Sequence, residues 1–161
     1  MALTVGYQRT VQSQDRLAQL IRGVAAQPGS WKHLVRFSAE RRWYYRLELA
    51  DDYEIWLLSW LPGQHTGFHD HGEAAGAFAV TRGRLSECTV PPGQAQARSR
   101  SVAAGAVRSF GSHYVHDVVN AAAQPAVSVH AYSPPLTAMR WFELTASGLV
   151  HIGTKQAGRD W

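Results

Sequence analysis

The chain is poor in cysteine, in charged residues and in long apolar runs, and each shortage excludes a class of protein. Its single cysteine, Cys88, cannot form an internal disulfide, which favours a reducing, cytoplasmic setting. Apolar residues nowhere continue for the roughly 20 positions that a membrane-spanning helix needs. The N-terminus also lacks the basic and then apolar pattern of a secretory signal. We therefore expect a soluble cytoplasmic protein with no membrane partner.

Charge is sparse and evenly spread. Charged residues make up 17% of the 161 positions, and the net charge of +4 comes mostly from arginines scattered along the chain. A nucleic-acid-binding domain usually gathers its basic residues into a patch, often together with aromatic ones, so we expect no nucleic-acid partner. The apolar share of 45% and the length suit one domain, which we expect to be a monomer.

Hydrophobic periodicity divides the chain into a short helical part and a longer β part. Apolar residues at helical spacing predict an amphipathic helix over 12–26, and a second short helix is expected over 31–37. Residues 1–40 should therefore pack as a helical segment on a β-barrel formed by 41–161. Runs rich in aromatic and β-branched residues predict strands at 42–49, 53–61, 76–81, 85–90, 106–110, 113–119, 126–132 and 139–144. Residues 91–100 are expected to form a loop, and the tail from 153 onward shows no clear element.

Three histidines form the most informative pattern in the chain. His69 and His71 stand at positions i and i+2 of an extended segment, so their side chains should point to the same side. Neutral imidazoles held in this way can chelate a transition metal, and His116 arrives from a later segment as a third ligand. Such a site leaves positions open for chemistry on an octahedral ion. Nitrogen ligands suit Fe(II), Ni, Cu and Zn, so they do not choose the metal.

The other histidines are expected to lie outside the set of ligands. His33, His65 and His151 are interpreted as surface residues. His113 lies three positions before His116 and therefore on the opposite side of an extended strand. Whether His65 or His113 tunes the site from outside the ligand set stays open.

Glycines and an asparagine frame the histidines at fixed spacings. The first pattern runs Gly63, five residues, His69-Asp70-His71, four residues, Gly76, six residues and Gly83; the second runs Gly105, five residues, Gly111, four residues, His116, three residues and Asn120. These spacings resemble the paired motifs of the cupin superfamily, which implies a mainly β fold, a small jelly-roll barrel with a metal at its centre. Cupins usually carry a glutamate ligand where this chain has Gly76. Without that acid, three neutral histidines would leave the metal its full positive charge, which favours anionic ligands.

A row of polar side chains lies on one predicted strand. The segment over 125–135 alternates, so Ser128, His130 and Tyr132 share one face. Buried polar groups need hydrogen bonds, and a chain from serine through imidazole to phenol would fix the orientation of the phenol. The alternative is a purely structural network at the edge of a sheet.

Three motifs narrow the resemblance. They are Gly-Gln-x-x-x-x-His-Asp-His-Gly over 63–72, His-Asp-Val-Val-Asn over 116–120 and Ser-Val-His-Ala-Tyr-Ser-Pro-Pro over 128–135. Together they resemble the cysteine dioxygenase type I family, in its bacterial, arginine-bearing form, over about residues 42–136. The resemblance implies that His69, His71 and His116 bind Fe(II). It also implies a catalytic network of Ser128, His130 and Tyr132, and a cis peptide bond between Ser133 and Pro134.

The resemblance also bears on a crosslink and on Cys88. Animal members of the family crosslink a cysteine to the tyrosine that corresponds to Tyr132. The position that corresponds to this cysteine is Gly76, so we predict no crosslink. Cys88 is interpreted as a strand residue without a catalytic part.

Arg46 carries the prediction of the substrate. Family members that act on cysteine hold the substrate carboxylate with an arginine at this position, whereas relatives that act on 3-mercaptopropionate have glutamine. The planar fork of arginine pairs a carboxylate through two parallel hydrogen bonds. Tyr44 lies two residues earlier on the same strand face and could donate a third bond, so the predicted substrate-binding set is Arg46, Tyr44 and Tyr132. The alternative is a surface arginine paired with Glu48 or an aspartate.

The resemblance thus implies a mononuclear Fe(II) enzyme that oxidises L-cysteine with O2 to cysteine sulfinic acid, a step of cysteine catabolism and of taurine and sulfinate metabolism. One alternative is a dioxygenase for 3-mercaptopropionate or another small thiol. A second is a metal-bound cupin that binds or senses a small ligand without catalysis. A third is a cupin enzyme that uses Mn or Ni.

Overall fold

One α-helix precedes eleven β-strands within residues 2–157, which the computed structural model describes, with side chains from residue 14 onward. The helix, α1, covers Ala2–Ala25, and two short 3-10 turns follow at Pro28–Ser30 and Lys32–Leu34. The strands are β1 Trp43–Leu49, β2 Glu54–Trp60, β3 Phe68–His69, β4 Ala75–Arg82, β5 Arg84–Thr89, β6 Arg98–Ala103, β7 Val107–Phe110, β8 Asp117–Val119, β9 Ala126–Ser133, β10 Ala138–Thr145 and β11 Gly148–Gln156.

The strands form three antiparallel sheets that close into a barrel. The largest sheet has the order β1-β2-β9-β4-β7, and the two others have the orders β11-β10-β3 and β6-β5-β8. Side chains from the inner faces of the first and last of these sheets meet in one buried cluster that includes Leu58, Phe78, Leu85 and Val118. The mainly β barrel that the sequence predicts is therefore confirmed.

The central strands of the large sheet are buried on both faces. Every residue of β2 is buried, and in β9 alternate residues separate by face. Val127, Val129 and Ala131 pack beneath α1, whereas Tyr132 belongs to the cluster inside the barrel. The side chains of β9 thus alternate between the two faces of the sheet, as the sequence predicts.

Helix α1 packs on a surface of small residues. Leu17 and Ile21 are almost fully buried, and they share one buried cluster with the alanines at alternate positions 75, 77 and 79 of β4. Because these side chains are small, the helix can lie close to the sheet and cover the face that points away from the barrel interior. The end of the helix is tied to the first 3-10 turn by Trp31, whose indole N–H donates to the carbonyl of Val24 at 2.9 Å.

Several predicted boundaries differ from the structure, and the short helix expected over 31–37 is only the 3-10 turn Lys32–Leu34. The helix begins at Ala2, about ten residues before the predicted start at 12, and ends at Ala25 close to the prediction. Part of the predicted loop 91–100 belongs to β6, whose first four side chains are exposed and give no alternating apolar pattern. The tail from 153 onward includes the end of β11, which pairs with β10 throughout its length. Residues 158–161 lie outside the described part of the chain.

Candidate metal centre

Three buried imidazoles converge inside the barrel. His69 ends β3, His71 follows two residues later, and His116 directly precedes β8. Each offers one nitrogen, and the three nitrogens lie within 4.8 Å of one another. The backbones of His69 and His116 exchange two hydrogen bonds, each of 3.0 Å. The structure therefore brings together all three of the predicted ligands.

The positions of the protons favour metal binding. His69 Nδ1 lies 2.9 Å from the Gly67 carbonyl, and His116 Nδ1 lies 3.0 Å from Glu87 Oε1. Since a carbonyl or carboxylate oxygen can only accept, both Nδ1 atoms carry a proton, which leaves Nε2 as the nitrogen that each ring offers to a metal. Burial, the largest effect, lowers the pKa of His69 and of His71 well below 6.5, so both rings are neutral. Bare nitrogens that face one site fit a divalent transition metal.

His71 is the third member of the set of ligands. Its Nε2 lies 3.1 Å from His69 Nε2, while its buried Nδ1 has no hydrogen-bond partner among the described residues. The ring stacks between aromatic neighbours, with centroid distances of 5.1 Å to Phe110 and 4.7 Å to Tyr132. Packing, rather than an outer hydrogen bond, holds this imidazole in place.

The corner where cupins usually carry a fourth ligand is filled by a phenyl ring. A Cβ added at Gly76 would lie 2.4 Å from two atoms of the Phe110 ring and 3.1 Å from Tyr132 Cδ1. Gly76 is therefore next to Tyr132, as the resemblance implies, but no side chain fits there unless Phe110 moves. Cys88 lies on β5, where it is partly buried and pairs with Ser99 and Asp117 across the sheet.

His113 lies outside the site for a reason that the sequence did not show. The segment before β8 is a turn and not an extended strand, and His113 has a φ of +59° in the left-handed region. Its Nδ1 accepts from Arg140 at 3.1 Å, and its Nε2 lies 3.0 Å from Glu73 Oε1. Arg140 in turn binds the fully buried carboxylate of Asp70, which lies between the first two ligands. The predicted strand over 113–119 is wrong in its first half.

The other histidines set aside in the sequence are exposed. His33 and His151 lie on the surface, and the imidazole of His65 is 58% exposed. His65 nevertheless contributes its backbone carbonyl, which accepts a hydrogen bond from Arg42 at 3.2 Å.

The predicted polar row of β9 is a continuous hydrogen-bonded chain. Trp60 Nε1 donates to Ser128 Oγ at 2.8 Å, and Ser128 Oγ lies 2.8 Å from His130 Nε2. Because the indole can only donate, the serine proton is free to go to His130 Nε2, an arrangement that places the proton of His130 on Nδ1. That atom faces the hydroxyl of Tyr132 at 3.4 Å. The chain lies in the middle of the large sheet and not at a sheet edge.

When His130 Nδ1 donates to the hydroxyl oxygen of Tyr132, the hydroxyl proton of Tyr132 points into the barrel interior. Burial raises the pKa of the Tyr132 phenol, and the nearby Arg42 only partly opposes that effect. The phenol is therefore protonated near neutral pH and can act as a donor. The next peptide bond, Ser133–Pro134, is cis, as the resemblance implies.

Two of the ligands and the phenol open onto one chamber. The polar members of its lining are Arg42, Thr66, His69, His116, His130 and Tyr132, and the apolar members are Leu58, Val118, Met139 and Trp141.

The arginine in this chamber is Arg42 and not Arg46. Arg46 is 46% exposed, and its Nη1 pairs with the buried Glu54 at 3.6 Å. Its guanidinium also lies over the ring of Trp56, 5.4 Å from the centroid. Arg46 shares the strand face of Arg42 but lies four residues further along it, outside the chamber. Arg46 therefore fits the alternative given above, a surface arginine paired with an acid. The acid is Glu54 and not Glu48 or an aspartate.

Tyr44 also packs beside the chamber rather than lining it. Its ring meets Trp56 edge to face at 5.9 Å, and it lies against the buried cluster inside the barrel. The phenol is close enough to Arg42 to influence the pKa of that residue. The structure thus places Tyr44 among the neighbours of an arginine, but of a different one from that predicted.

Glu87 is a site residue that lies outside all the sequence motifs. It is 2% exposed on the inner face of β5, and it joins His116 to Arg108. Burial alone would raise the pKa of Glu87, but the hydrogen bonds from His116 and Arg108 outweigh it and lower the pKa to about 2. Glu87 does leave a signal in the sequence: it stands two residues after Leu85 and so on the buried face of the strand. An acid is rarely buried there without a partner, so its position indicates a buried partner.

Solved structures define the class of the fold. A double-stranded β-helix protein from Klebsiella pneumoniae has a TM-score of 0.57 and 17% identity, and the match covers 76% of this chain and 93% of that one. An RmlC-like cupin from Desulfovibrio desulfuricans has a TM-score of 0.53 and 21% identity, with coverages of 63% and 91%. The barrel is that of a cupin, as predicted.

The sequence comparisons define the family within that class. The family model for cysteine dioxygenase type I matches residues 3–145. A cysteine dioxygenase type 1 from Danio rerio is 26% identical over 145 residues, which cover 80% of this chain and 69% of the relative. The chain belongs to the cysteine dioxygenase type I family and is a cupin of the thiol dioxygenase kind.

Among the described residues, no helix is long and apolar enough to cross a membrane.

Replacing one ligand should greatly weaken metal binding. We expect His116→Ala to weaken Fe(II) binding by more than roughly 100-fold, since it loses a direct ligand. Iron bound per chain after anaerobic loading and desalting measures the effect. His113→Ala is the matched control, because His113 is 48% exposed and outside the ligand set. Equal iron contents in the two variants would contradict the site.

Proposed function

We propose that this protein is a mononuclear Fe(II) dioxygenase that oxidises L-cysteine with O2 to cysteine sulfinic acid. The observation that supports it best is the presence of Arg42 in the same chamber as His69, His116 and Tyr132. A cation, a phenol and two imidazoles around one small space suit a substrate with a carboxylate and a thiol. Family membership supports the same class of reaction.

Arg42 is the residue that we propose for the substrate carboxylate, in place of Arg46. Its guanidinium lies over the ring of Trp60, 4.9 Å from the centroid, and Nη1 donates to the carbonyl of His65. Its buried Nε has no hydrogen-bond partner among the described residues. A buried donor without a partner costs free energy, and a carboxylate can satisfy it with charge-assisted hydrogen bonds.

His69, His71 and His116 are the residues that would hold the metal. When bound, Fe(II) would supply the redox chemistry that lets O2 react with a thiolate. The three ligands are neutral, so an anionic thiolate is favoured at the site over the neutral thiol. Both oxygen atoms end on sulfur, and the sulfur atom supplies all four electrons, so no external reductant is needed.

Tyr132 positions the substrate through its proton. His130 donates to the phenol oxygen, so the phenol proton is directed away from His130 and toward the chamber. Such a donor can bind a carboxylate or an oxygen atom on which negative charge develops. Ser128 and Trp60 fix the tautomer of His130 and therefore the direction of the donation. A module that only binds a ligand has little need for a phenol oriented in this way.

We further propose that the protein acts in the cytoplasm, as a monomer, in cysteine catabolism. The single cysteine of the chain supports the reducing compartment.

Oxygen uptake tests the proposal directly. Protein loaded with Fe(II) should consume one O2 for each cysteine sulfinic acid formed, as followed with an oxygen electrode and chromatography of the product. No uptake with either L-cysteine or 3-mercaptopropionate would favour a non-catalytic cupin. Metal analysis of protein purified without added metals separates iron from Mn or Ni.

The choice of arginine can be tested with one pair of variants. Arg42→Gln should raise the KM for L-cysteine roughly 10- to 100-fold, because a charge-assisted pair with the carboxylate is lost. Arg46→Gln, on the same strand face but outside the chamber, is the matched control and should change it little. Both thiols carry a carboxylate, but relatives that act on 3-mercaptopropionate hold it with glutamine, so we expect the loss in Arg42→Gln to be larger for L-cysteine than for 3-mercaptopropionate. A larger effect of Arg46→Gln would restore Arg46 as the carboxylate residue.

The phenol proton has its own test. Tyr132→Phe should lower kcat on the order of 100-fold, the usual effect of removing one donor to developing charge, with iron content unchanged. Tyr45→Phe is the control, since Tyr45 is 46% exposed on β1. Steady-state oxygen uptake gives kcat and KM for both variants. An unchanged kcat in Tyr132→Phe would remove the phenol from the reaction.

A further inference from the structure

The three ligand histidines differ in what lies behind them. His69 Nδ1 donates to a neutral carbonyl, that of Gly67, and His71 Nδ1 has no hydrogen-bond partner among the described residues. His116 Nδ1 alone of the three donates to a carboxylate, Glu87 Oε1, at 3.0 Å. The chain thus replaces the missing acidic ligand with an acid one side chain further away.

Glu87 is held rigidly in this position. β5 pairs Glu87 with Val118, two residues after His116, so the sheet register brings the carboxylate to the imidazole. The second oxygen, Oε2, accepts from Arg108 Nε at 2.8 Å. Glu87 is 2% exposed, and the Arg108 side chain that covers it is 27% exposed. Both carboxylate oxygens are therefore used, and solvent screens them little.

A carboxylate on Nδ1 changes what the opposite nitrogen can do. It fixes the tautomer that leaves Nε2 bare, and its charge draws the Nδ1 proton and makes Nε2 a stronger donor to a metal. In a buried site this charge also favours a more positive metal, because the interior screens it weakly.

We propose that Glu87 is a positioning residue that tunes the metal through His116, by supplying the negative charge that the three neutral ligands lack. This inference rests on the proposed metal-dependent function. The competing explanation is structural: Glu87 would serve only as the buried partner of Arg108. Both residues belong to one ion pair, so substitutions on its two sides distinguish the explanations.

The test compares Glu87→Gln with Arg108→Gln. Each breaks the ion pair, but only Glu87→Gln removes the charge behind His116. We expect Glu87→Gln to bind Co(II) 10- to 100-fold more weakly than the wild type, measured anaerobically by competition with a chromophoric chelator. Arg108→Gln should bind Co(II) as tightly as the wild type or more tightly.

The reduction potential of the iron-loaded protein gives a second readout with opposite signs. Loss of the negative charge in Glu87→Gln should shift the Fe(III)/Fe(II) midpoint to a more positive potential. Loss of the positive charge in Arg108→Gln should shift it to a more negative one. A purely structural ion pair would move both variants in the same direction, and that result would overturn the inference.

Two further results would separate the role of Glu87 from the proposed function. If Glu87→Gln does not fold with Arg108 unpaired, the double variant Glu87→Gln/Arg108→Gln is compared with Arg108→Gln, from which it differs only in the carboxylate. Equal Co(II) affinity and equal potential in that pair would overturn the role of Glu87 and leave the proposed function standing. A wild type that binds neither Co(II) nor Fe(II) would instead overturn the proposed function.

Discussion

The candidate metal centre depends on one pair of backbone hydrogen bonds, those that His69 and His116 exchange at 3.0 Å. This pair is also one of the two isolated bridges that join the segment running into β3 to the segment of His116 and β8. A backbone contact has no side-chain rotamers to lose, so it fixes where both imidazoles start. Closure of the barrel and assembly of the site are therefore the same event, and a disturbance of either would reach the other.

Strand β9 shows how the barrel can hold a polar row without losing its core. Its outward face carries small apolar residues that pack beneath α1, while its inward face carries Ser128, His130 and Tyr132. Leaving one of these groups unpaired would cost about 1–3 kcal/mol. Trp60 removes that cost at one end by donating to Ser128, and the chamber receives the free proton at the other end. The row is stable because, of its hydrogen-bonding groups, only the hydroxyl proton of Tyr132 lacks a fixed partner.

The sequence predicts the features that depend on short spacings and misses those that depend on the register of distant strands. The alternation of β9 and the His69–His71 pair follow from a period of two. Arg42 and Arg46 share a strand face, and alternation alone cannot say which of them reaches the chamber along the barrel. Glu87 lies near no ligand in the sequence, and only the pairing of β5 with β8 brings it to His116. A left-handed turn at a histidine gives no local signal, so the sequence predicts a strand at His113 where the structure has a turn.

The distribution of charge explains why an acid behind a ligand differs from an acid as a ligand. A carboxylate bound to the metal would lower its charge and also occupy a position that a substrate needs. Here Phe110 fills the corner beside Gly76 where such a ligand would enter, and Glu87 places its charge on the far side of His116. Arg42 lines the chamber as a cation. In the proposed function, an incoming thiol with a carboxylate would meet the unpaired Nε of Arg42, while the carboxylate of Glu87 would balance the charge of a metal without occupying a ligand position.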